Sequence, residues 1–237
     1  MVNSNGKKAI FFDLDDTLYD LLDPLRGAAL EVLSPEHGEL PFTELFYRVR
    51  HHSDVLWAQY TGGEMELGEM RELRLQHAFA EFGVELDRDT ARRMQEAYQS
   101  RQGRITLMEG ADGQLQRFLA EGYTVGLITN GLEDHQMYKI RALGLDKLIP
   151  PERIFISDAV GLTKPDPALF AHVNEVTETE PENSLYIGDT WENDVVGALD
   201  AGWRVCWFNA RGRKPATGHK PTFVFGDYKE FAALPLF

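Results

Sequence analysis

Ala9-Ile10-Phe11-Phe12-Asp13-Leu14-Asp15-Asp16-Thr17-Leu18 is the stretch from which the rest of the chain is read. Four consecutive apolar residues have the composition of a strand buried on both faces, as strands of parallel sheets are. Three carboxylates follow within four positions. In an open parallel sheet, ligands bind beyond the carboxyl ends of the strands, which puts Asp13 and Asp15 at a crevice. If the strand runs on, its period of two turns both to one side. Carboxylates held that close repel unless a cation joins them or one takes a proton. Phosphoryl transfer can use both solutions, with one carboxylate attacking and the other serving as acid and base.

Outward from this stretch, short apolar runs recur at 124–128, 153–156, 184–187 and 205–208, with amphipathic patterns at 111–121, 167–176 and 193–201. Buried strands alternating with helices predict an α/β fold, a Rossmann-like parallel sheet covered on both faces. The interval from 20 to 103 breaks the rhythm. It contains four helical patterns, at 24–33, 42–60, 66–82 and 88–102, and no strand pattern. In the second, Phe42, Leu45, Phe46, Val49, Leu56, Trp57 and Tyr60 are expected mainly on one face. The prediction is a catalytic core of 1–19 and 104–237, with a helical cap of 20–103 inserted after the first strand.

Composition narrows the classes of partner. Among 237 residues, 38 acidic against 24 basic side chains give a net charge of −14, which argues against a nucleic-acid polymer. Cys206 is the single cysteine and lies in a run that reads as a buried strand, so no disulfide forms within the chain and a reducing compartment is expected. Met1 to Lys8 leads into an apolar run too short for a signal peptide. No run approaches the roughly 20 apolar residues of a membrane span. The expectation is a soluble cytoplasmic protein.

Three further motifs close predicted strands or follow them. In Leu127-Ile128-Thr129-Asn130-Gly131, a hydroxyl and backbone amides at a strand tip suit a phosphoryl oxygen, although Thr-Asn-Gly is also an ordinary turn. In Gly161-Leu162-Thr163-Lys164-Pro165-Asp166-Pro167, the prolines stiffen the backbone and start a helix at Pro167. Lys164 there suits an aspartate or phosphate, or a solvated loop. In Ile187-Gly188-Asp189-Thr190-Trp191-Glu192-Asn193-Asp194, hard carboxylate oxygens suit Mg²⁺. Asp194 is equally readable as an acid favoured by a helix N-terminus.

Taken in order, Asp13-Leu14-Asp15-Asp16-Thr17, Thr129-Asn130, Lys164 and Gly188-Asp189 with Asp194 resemble the four motifs of the haloacid dehalogenase-like hydrolase superfamily. The insert looks like that superfamily's helical cap. The resemblance implies that Asp13 attacks phosphorus to form an aspartyl phosphate, and that Asp15 protonates the leaving oxygen and later activates water. It implies that Thr129, Asn130 and Lys164 hold the phosphoryl group. Mg²⁺ would be bound by Asp13 and Asp189, the Asp15 backbone carbonyl and, close behind, Asp194. Asp15 argues against a dehalogenase, which needs no acid. The absence of any lysine between Lys8 and Lys139 argues against a cap-lysine phosphonate hydrolase.

The chain looks most like the pyrimidine 5′-nucleotidases and acylneuraminate-phosphate phosphatases of this superfamily, including Leu56-Trp57-Ala58-Gln59-Tyr60-Thr61-Gly62-Gly63 and Ala201-Gly202-Trp203-Arg204-Val205-Cys206-Trp207-Phe208-Asn209-Ala210. The implied activity is Mg²⁺-dependent hydrolysis of a small phosphate monoester, a nucleoside 5′-monophosphate first. A sugar or acyl-sugar phosphatase, a phosphomutase and a phosphate-ligand binding protein are the alternatives. Trp57 and Tyr60 are candidates to stack on a base, or cap packing residues. His51-His52 and Arg48 and Arg50 read as solvated helix positions. The basic stretch 211–221 reads as a guide for an anionic substrate or a mobile surface loop.

Overall fold

The computed structural model describes residues 6–34, 37 and 39–231. The segment Met1 to Asn5, on which part of the signal-peptide reading falls, lies outside the described residues. The chain divides into two compact units, one formed by 1–20 and 106–237 and the other by 21–105.

After β1 (Ala9–Phe12), the chain builds the helical unit from α1 (Leu22–Val32), α2 (Phe42–Thr61), α3 (Leu67–Ala80) and α4 (Arg88–Gln102). Within it α1 packs on α4, and α3 packs on both α2 and α4. Leu45, Phe46, Val49, Leu75, Ala78, Phe79, Ala91 and Met94 are buried there. Asp87 caps α4 by accepting from the Thr90 amide at 2.7 Å, satisfying one of the free donors of the first turn. The apolar face predicted for α2 is corrected at its end. Leu56 is buried, but Trp57 is 40% exposed and Tyr60 half-buried, so their rings do not belong to the packed stripe.

The α/β unit resumes with α5 (Ala111–Ala120), β2 (Thr124–Thr129), α6 (Glu133–Ala142), β3 (Ile154–Ile156), α7 (Ser157–Val160), α8 (Pro167–Thr177), β4 (Ser184–Gly188), α9 (Gly197–Asp200), β5 (Arg204–Phe208), β6 (Phe223–Phe225) and α10 (Tyr228–Phe231). All pairings are parallel, in the order β3-β2-β1-β4-β5-β6. Every residue of β1, β2 and β4 is buried, as the unbroken apolar runs require. Phe11, Ile128, Phe155, Phe170, Tyr186, Trp203 and Trp207 belong to one apolar cluster of this unit. Gly126 makes room for Phe11, because a Cβ there would come 2.2 Å from the Phe11 ring and 2.6 Å from the Arg153 carbonyl. The strand order reverses between β1 and β4, the switch point at which ligands bind in such sheets.

The helix expected over 193–201 is corrected to a wide turn of π-helix, Trp191–Val196, running into α9. The amides of Asp194 and Val195 both bond to the Thr190 carbonyl, at 2.9 and 3.3 Å, which widens the turn. Among the described residues, no helix is long and apolar enough to cross a membrane.

Candidate active site

β1 ends at Phe12, and the ladder is carried one residue further by the Asp13 amide, which donates to the Ile187 carbonyl at 2.8 Å. The chain then leaves the sheet, with Asp16 in the left-handed region at φ 62°. Aspartate tolerates this backbone better than most residues. The strand does not run on to Asp15, and the two carboxylates acquire separate partners.

Asp13 is buried at 6% exposure. Its Oδ1 accepts from Lys164 Nζ at 2.7 Å, and its Oδ2 accepts from the Thr17 hydroxyl at 3.3 Å. Lys164, equally buried, also donates to Asp194 Oδ1 at 2.7 Å and to the Tyr186 hydroxyl at 2.8 Å. It is not a solvated loop lysine. Asn130 holds its backbone from both sides, with Nδ2 donating to the Lys164 carbonyl at 2.9 Å and Oδ1 accepting from the Lys164 amide at 3.0 Å. The asparagine side chain thus couples the end of β2 to the loop that delivers the lysine.

Asp194 is fully enclosed, and its Oδ2 accepts from the Thr190 amide at 2.8 Å. Asp189 Oδ1 accepts from the Thr190 hydroxyl at 3.2 Å, and its carbonyl accepts from the Trp207 indole at 2.8 Å. Gly188 is required by this crowding, since a Cβ would lie 2.5 Å from the Asp194 carboxyl carbon. Asp13, Asp189 and Asp194 each offer an oxygen within 4.8 Å of the others. Burial pushes the Asp13 carboxyl up to about 7, reinforced by Asp194 and Asp15 and opposed by Lys164. Burial likewise raises Asp189 well above the carboxylate range, with Asp194 and Asp13 adding to it and Arg213 opposing. Lys164 is raised; burial works against its charge, but Asp13 and Asp194 outweigh it. Three buried carboxyls meet here beside the Lys164 ammonium and the Arg213 guanidinium, and their hard oxygens are the donor type that Mg²⁺ takes. The residues present fit such an ion.

Asp15 faces a different set of groups, none of which the sequence reading singled out. Lys139 Nζ bonds both its oxygens, at 2.5 and 2.6 Å. The Tyr19 hydroxyl donates to Oδ1 at 2.5 Å, and Gln136 Nε2 donates to Oδ2 at 3.1 Å. Burial alone would raise this carboxyl, but Lys139 and these hydrogen bonds hold it well below the usual range. Thr129, also buried, accepts from the same Gln136 nitrogen at 2.6 Å. Lys139 and Gln136 sit on α6, whose polar sequence Glu133-Asp134-His135-Gln136-Met137-Tyr138-Lys139 shows weak apolar periodicity. The one available signal was spacing, since residues three apart share a helix face.

In the basic stretch after β5, two arginines are ion-paired. Arg211 bonds both oxygens of Asp16 at 2.5 Å and Asp20 at 2.6 Å, and Arg213 reaches Asp189 Oδ2 at 2.7 Å. These groups line a cavity of about 330 Å³ together with Phe208 and Tyr228. In the helical unit, the Trp57 and Tyr60 rings lie with centroids 5.2 Å apart and planes inclined at 58°. Arg48 and His52 both bond to Glu81, so this edge of α2 is ion-paired rather than simply solvated.

Residues 10–208 match the family of haloacid dehalogenase-like hydrolases. Phosphoserine phosphatase of Thermus thermophilus is 31% identical, over 94% of this chain and 97% of its own. Pyrimidine 5′-nucleotidase YjjG of Escherichia coli is 29% identical, over 95% and 96%. A magnesium-bound crystal form of the hydrolase YfnB of Bacillus subtilis superposes with a TM-score of 0.70 at 24% identity, over 96% and 97%, which speaks to the fold alone. The chain belongs to the haloacid dehalogenase-like hydrolases.

Proposed function

We propose that this phosphoric monoester hydrolase works through an aspartyl phosphate on Asp13, with Mg²⁺ as cofactor and a small phosphate ester as substrate. The observation that carries the reading is the Lys164 ammonium bridging Asp13 and Asp194 beside Asp189, at the switch point of the sheet.

Lys164 engages Oδ1 of Asp13 at 2.7 Å, which leaves Oδ2, with its longer 3.3 Å contact to Thr17, as the attacking atom. As the bond from Oδ2 to phosphorus forms, the ester bond breaks, and Asp15, held ionised by Lys139 in this structure, must first take a proton from solvent in order to pass it to the leaving oxygen. Asp15 then takes a proton from the water that hydrolyses the acyl phosphate. Thr129 and the Asn130 amide hold the phosphoryl oxygens, and Lys164 balances the charge that spreads over them. Asp13, Asp189 and the Asp15 carbonyl, with Asp194 behind them, would hold Mg²⁺, which would supply further charge neutralisation. Positioning and charge account for most catalysis of phosphoryl transfer.

For the substrate we favour a nucleoside 5′-monophosphate, supported by the similarity to the Escherichia coli nucleotidase and by the half-exposed Trp57–Tyr60 pair, which could stack on a base. The 31% identity to a phosphoserine phosphatase supports a second reading, a phosphorylated amino acid. Phosphate release from nucleotides, sugar phosphates and phosphoserine with Mg²⁺, against an Asp13→Asn blank, tests both. Turnover by the wild type and none by Asp13→Asn is expected, with no phosphate trapped on the variant. Retained activity in the variant would remove Asp13 as nucleophile.

A further inference from the structure

Lys139 is 2% exposed, and taking an ammonium out of water costs several kcal/mol unless it is paired. It is paired with Asp15, whose two oxygens it spans at 2.5 and 2.6 Å. A carboxylate with a single partner can turn about its own axis. Here Tyr19 holds Oδ1 from the loop after β1, and Gln136 holds Oδ2 from one helical turn before Lys139. The same Gln136 nitrogen lies 2.6 Å from the Thr129 hydroxyl and 2.8 Å from the Asn130 carbonyl. One face of α6 therefore sets Asp15 and the tip of β2 against each other.

We propose that Lys139 is a positioning residue for Asp15, fixing with Gln136 and Tyr19 the direction from which that carboxyl meets the ester's leaving oxygen. The inference rests on Asp15 acting as acid and base. Lys139 keeps its own protons throughout; because it holds Asp15 ionised in this structure, the proton that reaches the ester oxygen as the phosphorus–oxygen bond breaks is one that Asp15 first takes from solvent.

The test compares first-turnover rates, with Mg²⁺ present, for a nucleoside 5′-monophosphate and for p-nitrophenyl phosphate, whose leaving group needs no proton. General acid catalysis contributes about 10²–10⁴-fold. Lys139→Met is expected to slow the alkyl ester at least about ten-fold and the aryl ester by less than about three-fold, a modest share of that contribution. KM should hold for both, and Lys139→Arg should recover most of the loss. A merely structural role would slow both esters alike, and that result, or no loss at all, overturns the proposal while Asp15→Asn still shows the contrast. If Asp15→Asn shows no contrast, the acid–base reading falls and the proposal with it. Tyr19→Phe, which removes one hydroxyl and no charge, is read by the same criterion should Lys139→Met fail to fold.

Discussion

Asp13 sits among Lys164, Asp194 and Asp189, and its proton competes with any cation that the group holds. Its folded value of about 7 is above its value in an unfolded chain, so the folded state binds the proton more tightly. The stability this contributes is full below about 4, the ordinary aspartate value, and is lost as pH rises through about 7. Asp189 is raised too and carries the same sign. Asp15 has the opposite sign, but its contribution is lost only on acidification below the ordinary aspartate range. With a chelator present, thermal melts should therefore give a rising Tm as pH falls from 8 to 5. Asp13→Asn should flatten that slope, which separates the site from the general relief of a net charge of −14. An unchanged slope in the variant would refute the assignment. Asp13 and Asp189 stood out in the sequence because each follows an unbroken apolar run, whereas Lys164 alone read as well as a loop lysine, and its burial between Asp13 and Asp194 is a tertiary contact that no local pattern carries. The partners of Asp15 were not legible, because a short polar helix gives no apolar period to count.

Elements show why the motif residues cannot be exchanged piecemeal. Gly188 is the last residue of β4, and the wide turn after it brings Asp194 back over the glycine. Gly188→Ala would set a Cβ 2.5 Å from the Asp194 carboxyl carbon, and Asp194 must move. Lys164 would then lose one of its three partners. Losing a single charge-stabilising contact at a reacting phosphoryl group costs on the order of 10²–10³ in kcat, and a loss of about that size is expected. Calorimetric titration with Mg²⁺ should show weaker binding, while far-UV circular dichroism stays that of the wild type. Unaltered metal affinity would mean that Asp194 does not belong to the cation's surroundings. The strands and the four helices of the insert were legible from apolar periodicity. β6 (Phe223–Phe225) was not, since three residues after a polar loop carry little pattern and pairing with β5 defines them. The widened turn was hidden because its bonding is set by Thr190, not by spacing.

At the scale of the whole molecule, the three carboxylates that offer oxygens to a cation all belong to the α/β unit, and the helical unit supplies none of them. A ligand that binds only the folded state stabilises by about 2.7 kcal/mol at a hundred times its Kd. That free energy goes to the structure that must be intact for binding. Hydrogen exchange should therefore show Mg²⁺ slowing the amides of β1, β4 and β5, whose exposure requires the site to open. Amides of α1 to α4 that exchange through openings confined to the helical unit should keep their rates. Slowing of equal size in both units would mean that they unfold as one cooperative block. Identical rates everywhere, with and without Mg²⁺, would remove the metal site itself, because nothing in the α/β unit would then be linked to the ion.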